Sequence, residues 1–170
     1  MSGVAVDIII DSPLWNSVAR LQPTLRRVIE AAAAPTGTPD SELSIVLTDD
    51  ATIRNLNRQW RGHDKPTNVL SFPAHDTRPP GAALRLLGDV VIAYETTARE
   101  ARAQSLPLDH HLAHLAIHGY LHLLGYDHES DKEAEVMERL EREILARLDI
   151  SDPYAPRDEG LSALTCPTMR

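Results

Sequence analysis

A cluster of histidines is the feature that most constrains how this chain can fold. Five of the eight histidines lie between His110 and His122, and another, His128, follows Gly125. His118 and His122 are four residues apart, and on a helix four residues rise about 6 Å and complete little more than one turn, so both rings share one face. Gly125 can end that helix in the left-handed conformation, after which the chain can bring His128 back over the same face. The sequence therefore predicts a helix, a glycine stop and a loop that bring three imidazoles together.

Three neutral imidazoles with one position left for water are the ligand set of a catalytic zinc site. A structural site would need a fourth protein ligand, and the single cysteine, Cys166, lies near the C-terminus. Imidazoles without thiolates favour zinc, although nickel or another divalent ion also fits. His114 lies one turn earlier on the same face and is expected to support a ligand or to lie on the surface rather than to close the site. We therefore expect one zinc ion per chain.

The histidine spacing is similar to the zinc-protease pattern H-E-x-x-H-x-x-G-x-x-H, with one departure. Gly119 stands where that pattern has its general-base glutamate, so peptide hydrolysis by that mechanism is not expected. Asp127, beside His128, is a candidate to orient a ligand imidazole or to move a proton, and otherwise a turn residue. Asp89 lies inside a predicted strand, where an acid is costly unless paired. It is interpreted as a structural partner or as a residue that supports a ligand.

A second informative segment leads into a predicted strand and reads Arg61-Gly-His-Asp-Lys-Pro-Thr-Asn-Val-Leu-Ser-Phe-Pro73. The net charge of −8 disfavours nonspecific binding of nucleic acid, yet residues 51–66 carry four basic side chains and one acidic side chain. Arg61 can hold a phosphate in a bidentate manner or stabilise charge during phosphoryl transfer, and Lys65 can add a point charge. Each of these cations is otherwise a surface residue. Trp15 and Trp60 are expected in the core rather than as platforms on which bases stack.

Apolar periodicity predicts the fold class. Strands are expected over 4–10, 42–48, 68–72 and 86–93, and helices over 13–34, 94–104, 107–124 and 130–148, with a short helix capped at residue 49 or 50. Because strands and helices mix without strict alternation, we expect an α+β fold, a small mixed sheet of about four strands packed with helices. Residues 1–152 are expected to form one domain, and residues 153–170 a flexible C-terminal tail. Residues 78–81, with two prolines and a glycine, are expected to form a flexible connection.

The composition also indicates a compartment. No apolar run reaches the roughly 18–20 residues that a membrane-spanning helix needs. The N-terminus lacks the basic start of a secretory signal, and one cysteine allows no intrachain disulfide. These features favour a reducing compartment, most simply the cytoplasm.

Three stretches carry a resemblance to a known family. They are Leu87-Gly-Asp89, Asp64-Lys-Pro-Thr-Asn-Val-Leu-Ser-Phe-Pro73 and His118-Gly-Tyr-Leu-His122-Leu-Leu-Gly-Tyr-Asp-His128. Together they closely resemble the bacterial YbeY proteins, which are zinc-dependent endoribonucleases and ribosomal RNA maturation factors. The resemblance spans roughly residues 43–154, and the histidine motif is its most specific part.

The resemblance implies that His118, His122 and His128 bind zinc and that Arg61 and the ligand His118 are catalytic. Lys65 and Arg58 are candidate RNA contacts. The family's activity is cleavage of single-stranded RNA, with maturation of small-subunit (16S) ribosomal RNA at its 3′ end and a role in ribosome quality control. The implied partners are the small-subunit precursor, a small-subunit ribosomal protein and the GTPase Era. The implied fold is related in outline to that of the zinc proteases.

Two other functions are compatible with these residues. One is a different zinc hydrolase, such as a peptidase, built on the same metal scaffold. The other is a ribosome assembly factor that uses zinc only to hold its fold. For RNA cleavage itself, two routes stay open: attack by water activated at the metal, and attack by the RNA's own 2′-hydroxyl.

Overall fold

In the computed structural model, which describes residues 3–75 and 84–155, four strands form a single mixed sheet. The strands are β1 (Val4–Ile10), β2 (Ser41–Thr48), β3 (Val69–Pro73) and β4 (Arg85–Ala93). Their order across the sheet is β1-β2-β4-β3, with β1, β2 and β4 parallel and β3 antiparallel to β4. The predicted α+β fold with a small mixed sheet is confirmed.

Five α-helices and a short 3-10 helix (Pro13–Ser17) pack on this sheet within the described ranges. The α-helices are α1 (Leu21–Thr36), α2 (Asp50–Arg61), α3 (Tyr94–Ala103), α4 (Leu108–Leu123) and α5 (Asp131–Arg147). Two of them begin at capping side chains, since Asp49 accepts a hydrogen bond from the Thr52 amide and Ser130 accepts one from the Glu133 amide. None of the helices that the structure describes is long and apolar enough to cross a bilayer.

The main core lies between one face of the sheet and α4. This helix is apolar on nearly every side, as expected of a buried helix, and it also packs on α1, α3 and α5. Fully buried side chains meet there from the sheet and from α4, among them Ile45, Leu47, Val90, Ile92, Leu112, Ile117, Tyr120 and Leu121. The histidine-bearing helix is therefore held rigidly on its apolar sides, which leaves its polar side to form a site.

The opposite face of the sheet carries α2 and a smaller core. Successive residues of a strand point to opposite faces, so Val91 of β4 turns away from α4. It packs with Ile53 of α2 and with Leu70 of β3. The sheet thus separates α2 from α4, and helix α3 contacts both of them.

Gly88 fixes a local irregularity in β4. Its φ is +131°, and a Cβ there would lie 2.1 Å from the carbonyl oxygen of Phe72. The register between β2 and β4 shifts beside it, between Glu42 and Leu43. Only glycine tolerates this close backbone approach, because any side chain would push β3 and β4 apart.

The single helix predicted over 13–34 is wrong. The chain instead forms the 3-10 helix Pro13–Ser17, and α1 begins only after Arg20 adopts a φ of 55°. Trp15 gives the reason: its ring is fully buried and its indole N–H donates to the carbonyl oxygen of Thr48 at 2.8 Å. This anchor ties the turn to the end of β2, so the helix cannot continue in one direction. The predicted connection over 78–81 lies outside the described residues.

Candidate metal centre

Helix α4 packs closely against the sheet at Gly119. A Cβ at Gly119 would lie 2.6 Å from Cγ1 of Val90, and the hydroxyl of Ser71 donates to the Gly119 carbonyl oxygen at 3.0 Å. Position 119 therefore faces the sheet and not the cavity. This explains the departure from the zinc-protease pattern, because a glutamate at this position would collide with β4.

The end of α4 brings a third histidine back to the first two. Gly125 has a φ of +99°, and its amide donates to the His122 carbonyl oxygen, while the Tyr126 amide donates to the Leu121 carbonyl oxygen. These bonds satisfy the last carbonyls of the helix, as the glycine stop predicted. The loop that follows returns His128 over the polar side of α4.

The three imidazoles meet at one point. One ring nitrogen from each of His118, His122 and His128 lies within 4.8 Å of the others. The Nε2 atoms of His118 and His122 are 3.0 Å apart, close to the separation of about 3 Å that two ligands of one ion at ~2.0–2.1 Å show. The donor set and its spacing fit a single divalent ion of the zinc type.

A hydrogen bond at His118 and burial at His122 each favour the form of the ring that binds a metal. Nδ1–H of His118 donates to Glu141 at 2.6 Å, which leaves Nε2 of the same ring with a free electron pair. Burial lowers the pKa of His122, and the neighbouring His118 and His128 lower it further, against the opposing influence of Asp127 and the Tyr126 backbone. A neutral imidazole binds a cation without first losing a proton, so both effects favour metal binding.

Glu141 of α5 is the support that the sequence reasoning missed. Its side chain is completely buried, and its carboxylate accepts hydrogen bonds from His114 at 3.0 Å, from His118 and from the Tyr154 hydroxyl. Burial alone would raise the pKa of Glu141, but the hydrogen bonds from His114, His118 and Tyr154 outweigh it and bring the pKa to about 2. A carboxylate held ionised in this way fixes the orientation of a ligand histidine.

A signal for Glu141 was present in the sequence. The residue lies four positions after Met137 and three before Ile144, both on the apolar stripe of α5. Met137 and Ile144 are buried, whereas Val136, which the same pattern places on the stripe, is exposed. An acid at a buried helical position needs partners, and histidines on a facing helix are suitable ones.

The chain remains packed at the start of the predicted tail. Tyr154 donates to Glu141, and its ring meets His114 edge to face, with 5.6 Å between ring centroids. The guanidinium of Arg142 lies over the other side of this ring, 5.3 Å from its centroid. Burial raises the pKa of the Tyr154 hydroxyl, and its hydrogen bond to Glu141 raises it further. Residues 156–170 of the predicted tail lie outside the described part of the chain.

The other predicted acids and His114 occupy different places. His114 contacts Glu141 and is not among the three clustered ligands. Asp127 lines the cavity and accepts a hydrogen bond from the His128 amide at 2.8 Å, the arrangement of a turn residue beside a ligand. Asp89 is exposed on the far face of the sheet and lines a different cavity. The structure does not bring Asp89 to the histidines, and its exposure removes the burial cost that had suggested a special role.

Arg61 shares a cavity with the histidines. This cavity has a volume of about 890 Å³ and is bounded by α4, β3, the loop carrying His128 and the segment around Tyr154. Arg61 is exposed; its Nη2 donates to the Ser71 carbonyl oxygen at 2.9 Å, and its guanidinium lies 5.8 Å from the centre of the Phe72 ring. A positive charge thus faces the same space as the three imidazoles.

Arg58 and Lys65 lie near this cavity but do not line it. Both are exposed, and Arg58 donates to Asn55 at 3.4 Å. The side-chain amide of Asn57 donates to the Lys65 backbone carbonyl at 2.9 Å, which fixes the loop and leaves the ammonium group to the surface. Trp15 is in the core as predicted, whereas the prediction for Trp60 is wrong, because 67% of its surface is exposed.

Comparisons with known proteins agree with this geometry. The family model described as Endoribonuclease YbeY matches residues 12–149. The chain is 55% identical over 158 residues to the Endoribonuclease YbeY of Rhodopseudomonas palustris (strain BisB18), which covers 91% of this chain and 94% of that protein. It is 55% identical over 161 residues to the Endoribonuclease YbeY of Nitrobacter hamburgensis, covering 91% and 84%.

A solved structure is similar in fold. The solution structure of TM1509 from Thermotoga maritima superposes with a TM-score of 0.55 at 25% identity, covering 89% of this chain and 99% of that one.

Proposed function

The chain belongs to the endoribonuclease YbeY family, and we propose that it is a zinc-dependent enzyme that cleaves single-stranded RNA during ribosomal RNA maturation. Its reaction is hydrolysis or transesterification at RNA phosphodiester bonds. The observation that carries the proposal is the position of the three histidine nitrogens, within 4.8 Å of one another, in the same cavity as Arg61.

The chemistry divides between the histidines and the arginine. His118, His122 and His128 would hold one zinc ion, which when bound would polarise a phosphate oxygen and lower the pKa of a water molecule. Glu141 holds the His118 ring in the tautomer that a ligand needs. Arg61 is placed to pair with a phosphate oxygen and to stabilise the negative charge that develops there.

Position 119 bears on the choice of substrate. Because Gly119 faces the sheet, the chain has no carboxylate at the place where zinc proteases carry their general base. The rival peptidase function therefore lacks a proton acceptor at that position, whereas RNA, which can supply a 2′-hydroxyl as its own nucleophile, does not depend on one there.

The direct test is cleavage of single-stranded RNA by the purified protein before and after treatment with a chelator. We expect cleavage that stops with the chelator and returns with zinc. A duplex of the same sequence and casein serve as control substrates. Cleavage of casein alone, or RNA cleavage that survives removal of the metal, would contradict the proposal. The product ends separate the two routes, since a 2′,3′-cyclic phosphate indicates internal attack and a 5′-phosphate indicates attack by water.

Arg61→Ala tests the second component. We expect this variant to keep its fold and its metal, because the side chain is exposed and contacts Ser71 and Phe72 rather than a ligand. Its kcat/KM on RNA should fall by about a hundredfold, the scale for losing one group that stabilises transition-state charge. Arg27→Ala, exposed on α1, is the matched control. Unchanged RNA cleavage in Arg61→Ala would show that the arginine has no catalytic role.

The cellular role is part of the proposal. We place the enzyme in the cytoplasm, acting on the 3′ end of small-subunit ribosomal RNA and in ribosome quality control, with a small-subunit ribosomal protein and the GTPase Era as partners. Cells that carry His122→Ala should accumulate small-subunit RNA with unprocessed ends, visible by end mapping. Normal RNA ends in those cells would argue against this cellular role. The cleavage assay with purified protein tests the enzymatic activity independently of that result.

A further inference from the structure

Trp60 has a large exposed apolar side chain and directly precedes Arg61, which lines the cavity, although Trp60 itself does not line it. Among the described residues it is the most exposed of the large hydrophobic side chains, at 67%. This exposure forgoes much of the favourable free energy that burying an indole ring would provide. It lies in the last turn of α2, directly before Arg61. An exposed aromatic beside a substrate-facing cation is an unusual placement if the ring serves only the fold.

Contacts hold this ring in place without covering it. The Trp60 and Phe72 rings meet edge to face, with 6.2 Å between centroids and 69° between planes. Phe72 in turn lies beneath the guanidinium of Arg61 and follows Ser71, which anchors that guanidinium. One aromatic ring therefore links the exposed indole to the arginine that lines the cavity.

The charge around Trp60 is positive, although the chain as a whole is acidic. Arg58, Arg61 and Lys65 surround it in sequence and are exposed. The nearby acid, Asp64, is already paired with Arg54 at 2.8 Å. An exposed ring amid unpaired cations complements a ligand with flat bases and negative phosphates better than it complements an apolar protein surface.

We propose that Trp60 is a platform on which an unpaired nucleobase of the RNA stacks, next to the phosphate held by Arg61. The inference rests on the proposed function and adds a contact through which that site would bind its RNA substrate. A stacking platform accepts any base because every base has a π-face, and it requires a base that is free of pairing. Trp60 thus supplies a preference for single strands that phosphate contacts alone cannot provide.

Binding to two matched strands tests the platform. The full-length protein is titrated with a short single strand carrying 2′-O-methyl riboses and with the same backbone lacking bases, and tryptophan fluorescence is recorded. Trp15 is completely buried, so a change in emission reports Trp60. We expect the strand with bases to quench Trp60 and to bind about tenfold more tightly than the strand without bases.

Substitutions at the same position separate the ring from its bulk. Trp60→Leu should bind both strands equally, with the affinity of the base-free strand, whereas Trp60→Phe should retain most of the difference. Leu86→Ala removes an apolar side chain that is 49% exposed on β4, far from the cavity, and should bind as the wild type does. Because Trp60 is exposed, all of these variants are expected to fold, which thermal unfolding checks.

The outcomes distinguish this inference from the proposed function. If the wild type binds the two strands equally, or if Trp60→Leu retains the difference, the platform is refuted even while chelator-sensitive RNA cleavage persists. If Trp60→Leu binds RNA normally but loses a protein partner, the exposed ring serves that partner and the platform is likewise refuted. If the wild type neither binds nor cleaves RNA, the proposed function itself fails.

Discussion

At position 119 the absence of a side chain sets the distance between the histidine-bearing helix and the sheet. Val90 and Ser71 both lie within 3.2 Å of the place where a Cβ would be, and Val90 belongs to β4 at the centre of the main core. The helix cannot retreat without opening the packing of Leu112, Ile117 and Leu121, which are fully buried. A single hydrogen atom in place of a methyl group thus determines where two of the three clustered histidines lie.

Gly119→Ala should therefore destabilise the protein. We expect the free energy of unfolding to fall by about 1–3 kcal/mol, the usual cost of inserting a methyl group into a packed contact, measured by urea denaturation. Gly3→Ala is the control, because nothing lies within 4 Å of its Cβ position. Equal stability of the two variants would mean that α4 moves freely on the sheet.

Glu141 is the second residue whose effect reaches beyond its own position. Glu141→Gln keeps the volume but removes the charge and one acceptor oxygen from His114 and His118. We expect zinc affinity to fall by about 10–100-fold, the usual effect of losing a group that orients a ligand histidine, measured by competition with a chelator of known affinity. Glu143→Gln, exposed on the same helix, should bind zinc normally. Wild-type affinity in Glu141→Gln would show that His118 needs no orienting partner.

Among the elements, the loop between α2 and β3 joins the two halves of the site. Arg54 of α2 reaches across to Asp64 in this loop, and Asn57 holds the backbone of Lys65. These contacts position the loop so that β3 begins beside α4. The order of the loop therefore depends on a polar pair at the surface rather than on burial.

The pKa of Asp64 can be used to detect the ion pair between Arg54 and Asp64. The hydrogen bond from Arg54 lowers the pKa of Asp64, and the charges of Arg54 and Arg58 lower it further, against the opposing influence of burial. In Arg54→Ala the pKa should rise toward its ordinary value, as followed by NMR titration. Since the folded pKa is the lower one, the pair is complete above the unfolded pKa of about 4 and is lost as the pH falls through the folded value. An unchanged Asp64 pKa in the variant would mean that the pair does not form in solution.

The elements were predictable where the periodicity of the sequence reflects burial. All four strands and the helices of the second half lie within a few residues of their predicted positions, and Gly125 ends α4 as its lack of a Cβ requires. Trp60 was misplaced because its spacing from Ile53 suits a buried stripe, whereas its ring meets Phe72 of the edge strand β3 and stays 67% exposed. The position of Glu141 on the buried stripe of α5 was a local signal, but its partners come from α4 and from Tyr154, and contacts between distant segments leave no local pattern.

On the scale of the whole molecule, one hydrophobic core joins the sheet to the helices. The fully buried apolar residues of the sheet, α1, α4 and α5 form one continuous cluster. We therefore expect a bound metal to add stability by binding the folded state, and not to be required for folding as it is in small zinc-dependent domains.

Removal of the metal should leave a folded protein. After chelation we expect unchanged far-ultraviolet circular dichroism and cooperative unfolding at a lower temperature. Zinc at a hundred times its dissociation constant should restore about 2.7 kcal/mol of stability. Loss of structure on chelation would instead support the assembly-factor hypothesis, in which the zinc is structural.

The contact between Arg61 and Ser71 has a consequence for the open border of the sheet. The Ala74 amide donates to the Leu87 carbonyl, and the Ala93 amide donates to the Asn68 carbonyl. The even-numbered residues of β3 therefore direct their backbone N–H and C=O groups toward β4, and the odd-numbered residues direct theirs away from the sheet. Ser71 is odd-numbered, and its outward carbonyl is the one that Arg61 occupies; Pro73, next in that row, has no amide proton. A second molecule adding a strand here would find the Val69 amide bonded to the Asn68 side chain, the Ser71 carbonyl occupied and no amide proton at Pro73. The arginine that lines the cavity thus also covers part of this open edge of the sheet.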